Sequence, residues 1–198
     1  MLSSPVAIVV TLVVVAVVGV VVVAVVSVGL AITGGSGACT PGGGPITVSA
    51  ANAQAFQQKW DAFDQLLDSG SPSSVTFSES EVSSRADRFV QDETGVDIDD
   101  LQICFHDGFA EVSGKLKSGI GINSEVRIKG SVDLSSDPAK AIVDKVEVGS
   151  VPGALVDVAE TIGLDANDAL NEALGELTLE HSYQAVFSEG AVEVSGQP

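Results

Sequence analysis

A long run of apolar residues opens the chain. Residues 6–32 are almost entirely Val, Ala, Leu and Ile, and the first charged side chain downstream is Lys59. About 18 consecutive apolar residues are enough to cross a bilayer as a helix. At ~1.5 Å per residue this run reaches ~40 Å, against a hydrocarbon core of ~30 Å. The pattern therefore predicts a transmembrane anchor, with its segment at residues 1–33.

The residues flanking the apolar run favour an anchor that is retained. A cleaved secretory signal has a basic start and an apolar core of ~7–15 residues, and this chain has neither. Two alternatives stay open: cleavage after the small residues 36–38, or lipidation of Cys39. The amino terminus is the only positive charge near the run, which favours a cytoplasmic N-terminus. We expect a single-pass protein with residues 46–198 outside the cytoplasm, in the cell envelope.

Behind the anchor, the apolar spacing becomes helical. Residues 34–45 are rich in glycine, which predicts a flexible linker that does not pack, and residues 46–48 are typical of a short strand. Ser49 is suited to cap a helix over residues 50–68. The buried face of that helix is predicted from its apolar residues at helical spacing, namely Phe56, Trp60, Phe63, Leu66 and Leu67.

A second helix and several hairpins are predicted next. Ser78 and Glu81 have the spacing of a capping box, and the helix that they open carries Phe89 on its apolar side. From residue 96 the period changes to two. Alternating apolar residues flank Asp107-Gly108, a strong signal for a tight hairpin turn. Similar alternation predicts a hairpin over residues 126–148 and another over residues 179–194, which turns at Glu189-Gly190.

A long amphipathic helix is predicted between the last two hairpins, over residues 153–176. Pro152 opens it, and its apolar positions form a continuous stripe at helical spacing. Such a stripe is typical of a helix that is buried along one face.

Two of the predicted hairpins share a sequence pattern. Residues 102–114 and 184–196 are identical at seven of thirteen positions, at an offset of 82 residues. Each is preceded by a predicted amphipathic helix. We therefore expect an α+β domain of two helix-plus-hairpin units, with convergence on a common hairpin sequence as the alternative.

Charge and motif content narrow the functional classes. The net charge is −18, and every charged side chain lies within residues 59–198. Nucleic acids and anionic lipid surfaces select basic proteins, so neither is expected as a partner. The two Cys and two His lack the spacing of a metal site, and no catalytic or cofactor motif is found, so a non-enzymatic protein without metal or cofactor is expected. Spacing leaves open whether Cys39 is lipidated, free or bonded to Cys104.

Three segments carry a resemblance to a known family. Residues 77–82 predict a strand that runs into a capped helix, residues 146–152 lead into the long helix, and residues 187–196 close the chain with a hairpin. This arrangement resembles the tubular lipid-binding (TULIP-like) group, in particular its small, membrane-anchored YpmS-like and LmeA-like envelope proteins. The resemblance covers about residues 75–196.

The resemblance implies a more detailed fold and a function. It implies a curved antiparallel β-sheet wrapped around the long amphipathic helix, with an apolar groove between them. The domain would bind or shelter a membrane lipid or other apolar ligand near the bilayer. The alternative is a non-enzymatic accessory or scaffold subunit with an envelope protein partner. The candidate groove residues are Phe89, Leu155, Val158, Ile162, Ala166, Leu170 and Leu174.

Overall fold

The described part of the chain is a mixed α+β structure. A computed structural model describes residues 37–94, 98–117, 123–135, 140–148 and 181–198. In these ranges no helix is both long and apolar enough to span a bilayer. The predicted anchor and the predicted long helix lie outside the described residues.

The described residues form two α-helices, a π-helical turn and seven strands. The helices are α1 (Ala50–Asp68) and α2 (Glu79–Phe89), and α2 continues into a π-helical turn, Val90–Thr94. The strands are β1 (Ser73–Ser78), β2 (Ile98–His106), β3 (Phe109–Lys117), β4 (Asn123–Asp133), β5 (Lys140–Val148), β6 (Ser182–Ser188) and β7 (Ala191–Gln197).

The strands form two antiparallel sheets. One has the order β1-β7-β6 and the other β2-β3-β4-β5. The α+β class and the antiparallel pairing are confirmed, whereas the single curved sheet that the resemblance implies is replaced by two separate sheets. The physical reason is that the second strand of each related hairpin pairs with a different additional strand. In the first hairpin β3 pairs with β4, and in the second β7 pairs with β1.

Both helices begin as predicted. The Ser49 side chain accepts a hydrogen bond from the amide of Asn52, and Ser78 forms a complete capping box with Glu81. These contacts satisfy amides that the first helical turn leaves without partners. The predicted strand at residues 46–48 is wrong, because this described segment pairs with no strand.

An aromatic cluster joins α1 to the three-stranded sheet. The rings of Phe56 and Phe77 stack with centroids 4.3 Å apart, and Trp60 packs between Phe63 and Tyr183 at 5.4 and 6.2 Å. Each such pair adds about 0.5–1.5 kcal/mol beyond its burial of apolar area. The helical face predicted for α1 is confirmed except at Leu66, which is exposed.

The two related hairpins meet tip to tip. Both have two-residue turns, with positive φ at Gly108 and Gly190. The amide of Gly108 donates to the carbonyl of Phe187 at 3.2 Å, and the amide of Gly190 donates to the carbonyl of Phe105 at 3.1 Å. The two hydrogen bonds are equivalent, because Gly190 and Phe187 lie 82 residues after Gly108 and Phe105. The sequence repeat therefore corresponds to a local pseudo-twofold pair of hairpins.

Candidate functional site

Residues 37–43, the docked segment, lie on the folded domain. Cys39 forms a disulfide with Cys104 of β2, and their Cα atoms are 6.1 Å apart. Both residues are buried. This settles which of the three alternatives for Cys39 the structure adopts. A sulfur in a disulfide cannot also carry a thioether-linked lipid, so lipidation of Cys39 is incompatible with this structure.

Hydrogen bonds from the four-stranded sheet hold the start of the docked segment. The amide of Cys39 donates to Oγ of Ser113 at 3.0 Å, in a buried position. Nη2 of Arg127 donates to the carbonyls of Gly37 and Ala38 at 3.1 and 3.0 Å. The prediction of a linker that does not pack is therefore wrong for this part of residues 34–45, because its backbone supplies the bonding groups that its side chains lack.

A buried carboxylate holds the other end of the docked segment. Glu79 is the first residue of α2 and is 3% exposed. Its Oε1 accepts from the amides of Gly42 and Phe105, both at 2.9 Å, and its Oε2 accepts from Gly43 at 3.0 Å. Hydrogen bonds to a charged group contribute about 1.5–3 kcal/mol each. One side chain thus joins the docked segment, α2 and the first hairpin.

Close backbone contact requires glycine where the docked segment crosses the hairpin tips. A Cβ atom on Gly42 would lie 2.6 Å from the amide nitrogen of Gly190 and 2.8 Å from the carbonyl of Phe105. A Cβ atom on Gly190 would overlap the backbone of Gly43. The contact of Gly42 and Gly43 with Gly190 is named the glycine junction. Its close backbone approach explains why glycine stands at all three positions.

The neighbouring Glu81 stabilises the start of α2. It forms an ion pair with Lys59 of α1, with Nζ and Oε1 2.8 Å apart. Burial alone would raise the pKa of Glu81, but the hydrogen bonds from Lys59 and Ser78 outweigh burial, and the pKa lies below its ordinary value. The carboxylate form is therefore the one that this structure stabilises.

A polar cavity of about 330 Å³ lies beside the docked segment. At its wall Lys115 donates to Asp100 at 2.6 Å, and this hydrogen bond raises the pKa of Lys115 above its ordinary value. The lining is mostly polar, so it is not the predicted apolar groove. The lining residues are Gly37, Ala38, Asp100, Gln102, Ser113, Gly114, Lys115 and Glu125.

The structure places one of the seven candidate groove residues. Phe89 is half-buried at the last position of α2. The other six lie outside the described residues, namely Leu155, Val158, Ile162, Ala166, Leu170 and Leu174. The chain gave no signal for the role of Glu79, because its partners lie 26 to 37 residues away.

Comparison with known proteins gives no match, so a function has to be argued from the structure itself. No protein-family model, curated protein or solved structure matches the chain. The resemblance to TULIP-like proteins accordingly stays a prediction. The arguments for function come from the docked segment, the disulfide and the faces of the sheets.

Proposed function

We propose that the chain is a membrane-anchored, extracytoplasmic, non-enzymatic module that binds or shelters a lipid or other apolar ligand beside the bilayer. The observation that carries the proposal is the disulfide-bonded docked segment. Cys39 follows the end of the apolar run by seven residues. Seven residues span at most ~25 Å when fully extended. The domain would therefore be held against the membrane surface.

The disulfide also supports the expected side of the membrane. Disulfides persist in oxidising compartments and are rare in the cytosol. The bond between Cys39 and Cys104 is buried, and it lies in the domain that the anchor is predicted to place outside the cytoplasm. The N-terminus would then be cytoplasmic, as the charge distribution around the apolar run favours.

The four-stranded sheet has an apolar face that belongs to the hydrophobic core, and the proposed ligand would share that core. Ile103, Val112 and Ile128 lie directly opposite one another on β2, β3 and β4, and all three are buried. The ligand would enter between this face and the apolar stripe predicted over residues 153–176. Each CH₂ group removed from water would contribute about 0.8 kcal/mol. A TULIP-like protein would hold lipid in this way.

An accessory or scaffold role is the second candidate. The aromatic cluster is closely packed, and the cavity beside the docked segment is polar. Both observations favour a domain filled by its own side chains. Its net charge of −18 would then recruit an envelope protein with a basic surface.

Native mass spectrometry of the full-length chain tests the proposal. We expect lipid to copurify from its own membrane in mild detergent, and a fluorescent fatty acid to bind saturably. Leu170→Trp should reduce uptake by filling the predicted groove, whereas Leu66→Trp, on the exposed side of α1, should not. Absence of both copurifying lipid and uptake would refute the lipid proposal. One stoichiometric crosslinked protein would then favour the scaffold.

A further inference from the structure

Three side chains with metal-binding atoms converge at the C-terminal end of α1. Asp64 and Asp68 belong to this helix, and His181 directly precedes β6. One ligand atom from each lies within 4.8 Å of the other two. Nε2 of His181 is 3.2 Å from Oδ1 of Asp68. The His181 side chain is 12% exposed and that of Asp68 63%, so solvent reaches the cluster from one side.

The fold holds these residues in place independently of any ion. Asp64 and Asp68 are four residues apart on a helix, so they share one face. His181 is two residues before Tyr183, which is buried and packs against Trp60 and Phe63 of α1, with centroids 6.2 Å away in both cases. The aromatic cluster thus fixes the β6–β7 hairpin against the helix that supplies the carboxylates. Such support is what preorganises a ligand set.

The donor atoms of this cluster fit a divalent cation of the first transition-metal row. Zn²⁺ holds nitrogen and oxygen donors at ~2.0–2.2 Å in tetrahedral geometry, which separates them by about 3.4 Å. Nε2 of His181 and Oδ1 of Asp68 already lie at about this separation, 3.2 Å apart, and all three ligand atoms lie within 4.8 Å of one another. An imidazole distinguishes this set from an acidic patch, because imidazole suits Zn²⁺ and similar ions whereas Mg²⁺ and Ca²⁺ prefer oxygen donors. Three protein ligands would leave a coordination position open.

We propose that Asp64, Asp68 and His181 form a binding site for a divalent ion of the first transition-metal row, with Zn²⁺ the best match. The bound ion would join residues 113 positions apart in the sequence and clamp the β6–β7 hairpin to α1. It would also neutralise part of the charge of a strongly acidic domain. The site is independent of the proposed lipid ligand, and it revises the expectation from residue spacing that no metal binds.

The test uses the tag-free, full-length chain in detergent after treatment with EDTA. Isothermal titration with ZnCl₂ should show one saturable site per chain, with weaker binding of CaCl₂. Trp60 is the only tryptophan and lies one helical turn before Asp64. Its fluorescence should therefore be quenched stoichiometrically by paramagnetic Co²⁺. A chain with no saturable Zn²⁺ binding, or with Ca²⁺ bound equally well, would overturn the proposal.

Matched variants separate this site from general binding to acidic groups. Asp68→Asn and His181→Asn should each weaken Zn²⁺ binding about tenfold or more, on the scale known for altered metal sites. Asp68 is exposed, so its variant should fold. His106→Asn is the control, because this second histidine lies 3.3 Å from Glu189 outside the three-residue cluster. Unchanged affinity in both Asp68→Asn and His181→Asn, or an equal loss in His106→Asn, would refute the assignment.

Discussion

The two related hairpins, β2–β3 and β6–β7, share a sequence pattern and a turn geometry but differ on their outer faces. Cys104 is fully buried, whereas Val186, its counterpart 82 residues later, is 60% exposed. The docked segment accounts for the difference, because it bonds covalently to Cys104 of β2, whereas its glycines approach the second hairpin at the turn. The hairpin is thus a repeated scaffold, and covalent attachment of the docked segment is specific to its first copy.

The hairpins are alike at a second pair of glycines, one in the closing strand of each. A Cβ atom on Gly114 would lie 2.8 Å from Cγ2 of Ile98, and one on Gly196 would lie 2.9 Å from Cζ of Phe63. Both copies therefore keep glycine where a neighbouring side chain packs onto the strand. The hairpins differ in the surroundings of their turns and of their outer faces. The following substitutions test the turns and the outer faces separately.

Substitution of a turn glycine should give the largest loss of stability, at Gly190. Gly190→Ala and Gly108→Ala both place alanine at positive φ, which costs about 1–2 kcal/mol. Only at Gly190 does the added Cβ overlap the docked segment, and such overpacking adds about 1–3 kcal/mol. We expect urea denaturation to show a larger loss of stability for Gly190→Ala. Equal losses in the two variants would mean that the glycine junction does not matter.

Removal of the disulfide should have the next largest effect. Its cysteines are 65 residues apart, and bonds that close loops of this order contribute about 2–4 kcal/mol. The double variant Cys39→Ala/Cys104→Ala should lose this amount in denaturation experiments, and reductant should destabilise only the parent chain. Val186→Ala, at the equivalent exposed position, should change stability by less than about 0.5 kcal/mol. A stable double variant would show that hydrogen bonds alone hold the docked segment.

The smallest effect on stability should come from acid, through Glu81 of α2, the helix before the first hairpin. Because the pKa of Glu81 is lowered from 4.5 in the folded state, its ionised form stabilises the fold above about pH 4.5. That contribution is lost as the pH falls through the folded pKa. Since Lys59 is 44% exposed, solvent screens the pair, and we expect about 0.5 kcal/mol.

Urea denaturation at several pH values measures this acid dependence. Lys59→Met should reduce the loss of stability below pH 4.5, because the lysine contributes to lowering the pKa of Glu81. Arg88→Met is the control, since Arg88 pairs with Asp92 at an exposed position elsewhere on the helical surface. An unchanged acid dependence in Lys59→Met would assign the acid sensitivity to other carboxylates.

Local signals in the sequence predicted many elements correctly. The cap at Ser49, the capping box at Ser78 and the turns at Gly108 and Gly190 are all found in the structure. Each depends on side chains and backbone within a few residues of one another. Prediction failed where distant contacts decide the outcome, as at residues 46–48 and in the docked segment, whose glycines indicated only flexibility.

The sequence by itself determined the α+β class, the hairpin repeat and the starts of both helices, because periodicity and capping are local properties. Only the tertiary structure decided that Cys39 bonds to Cys104, that Glu79 accepts amides from two remote segments, and that His181 meets two aspartates of α1. Each of these contacts joins residues that are far apart along the chain. Spacing cannot show them, because packing brings such groups together only in the folded chain.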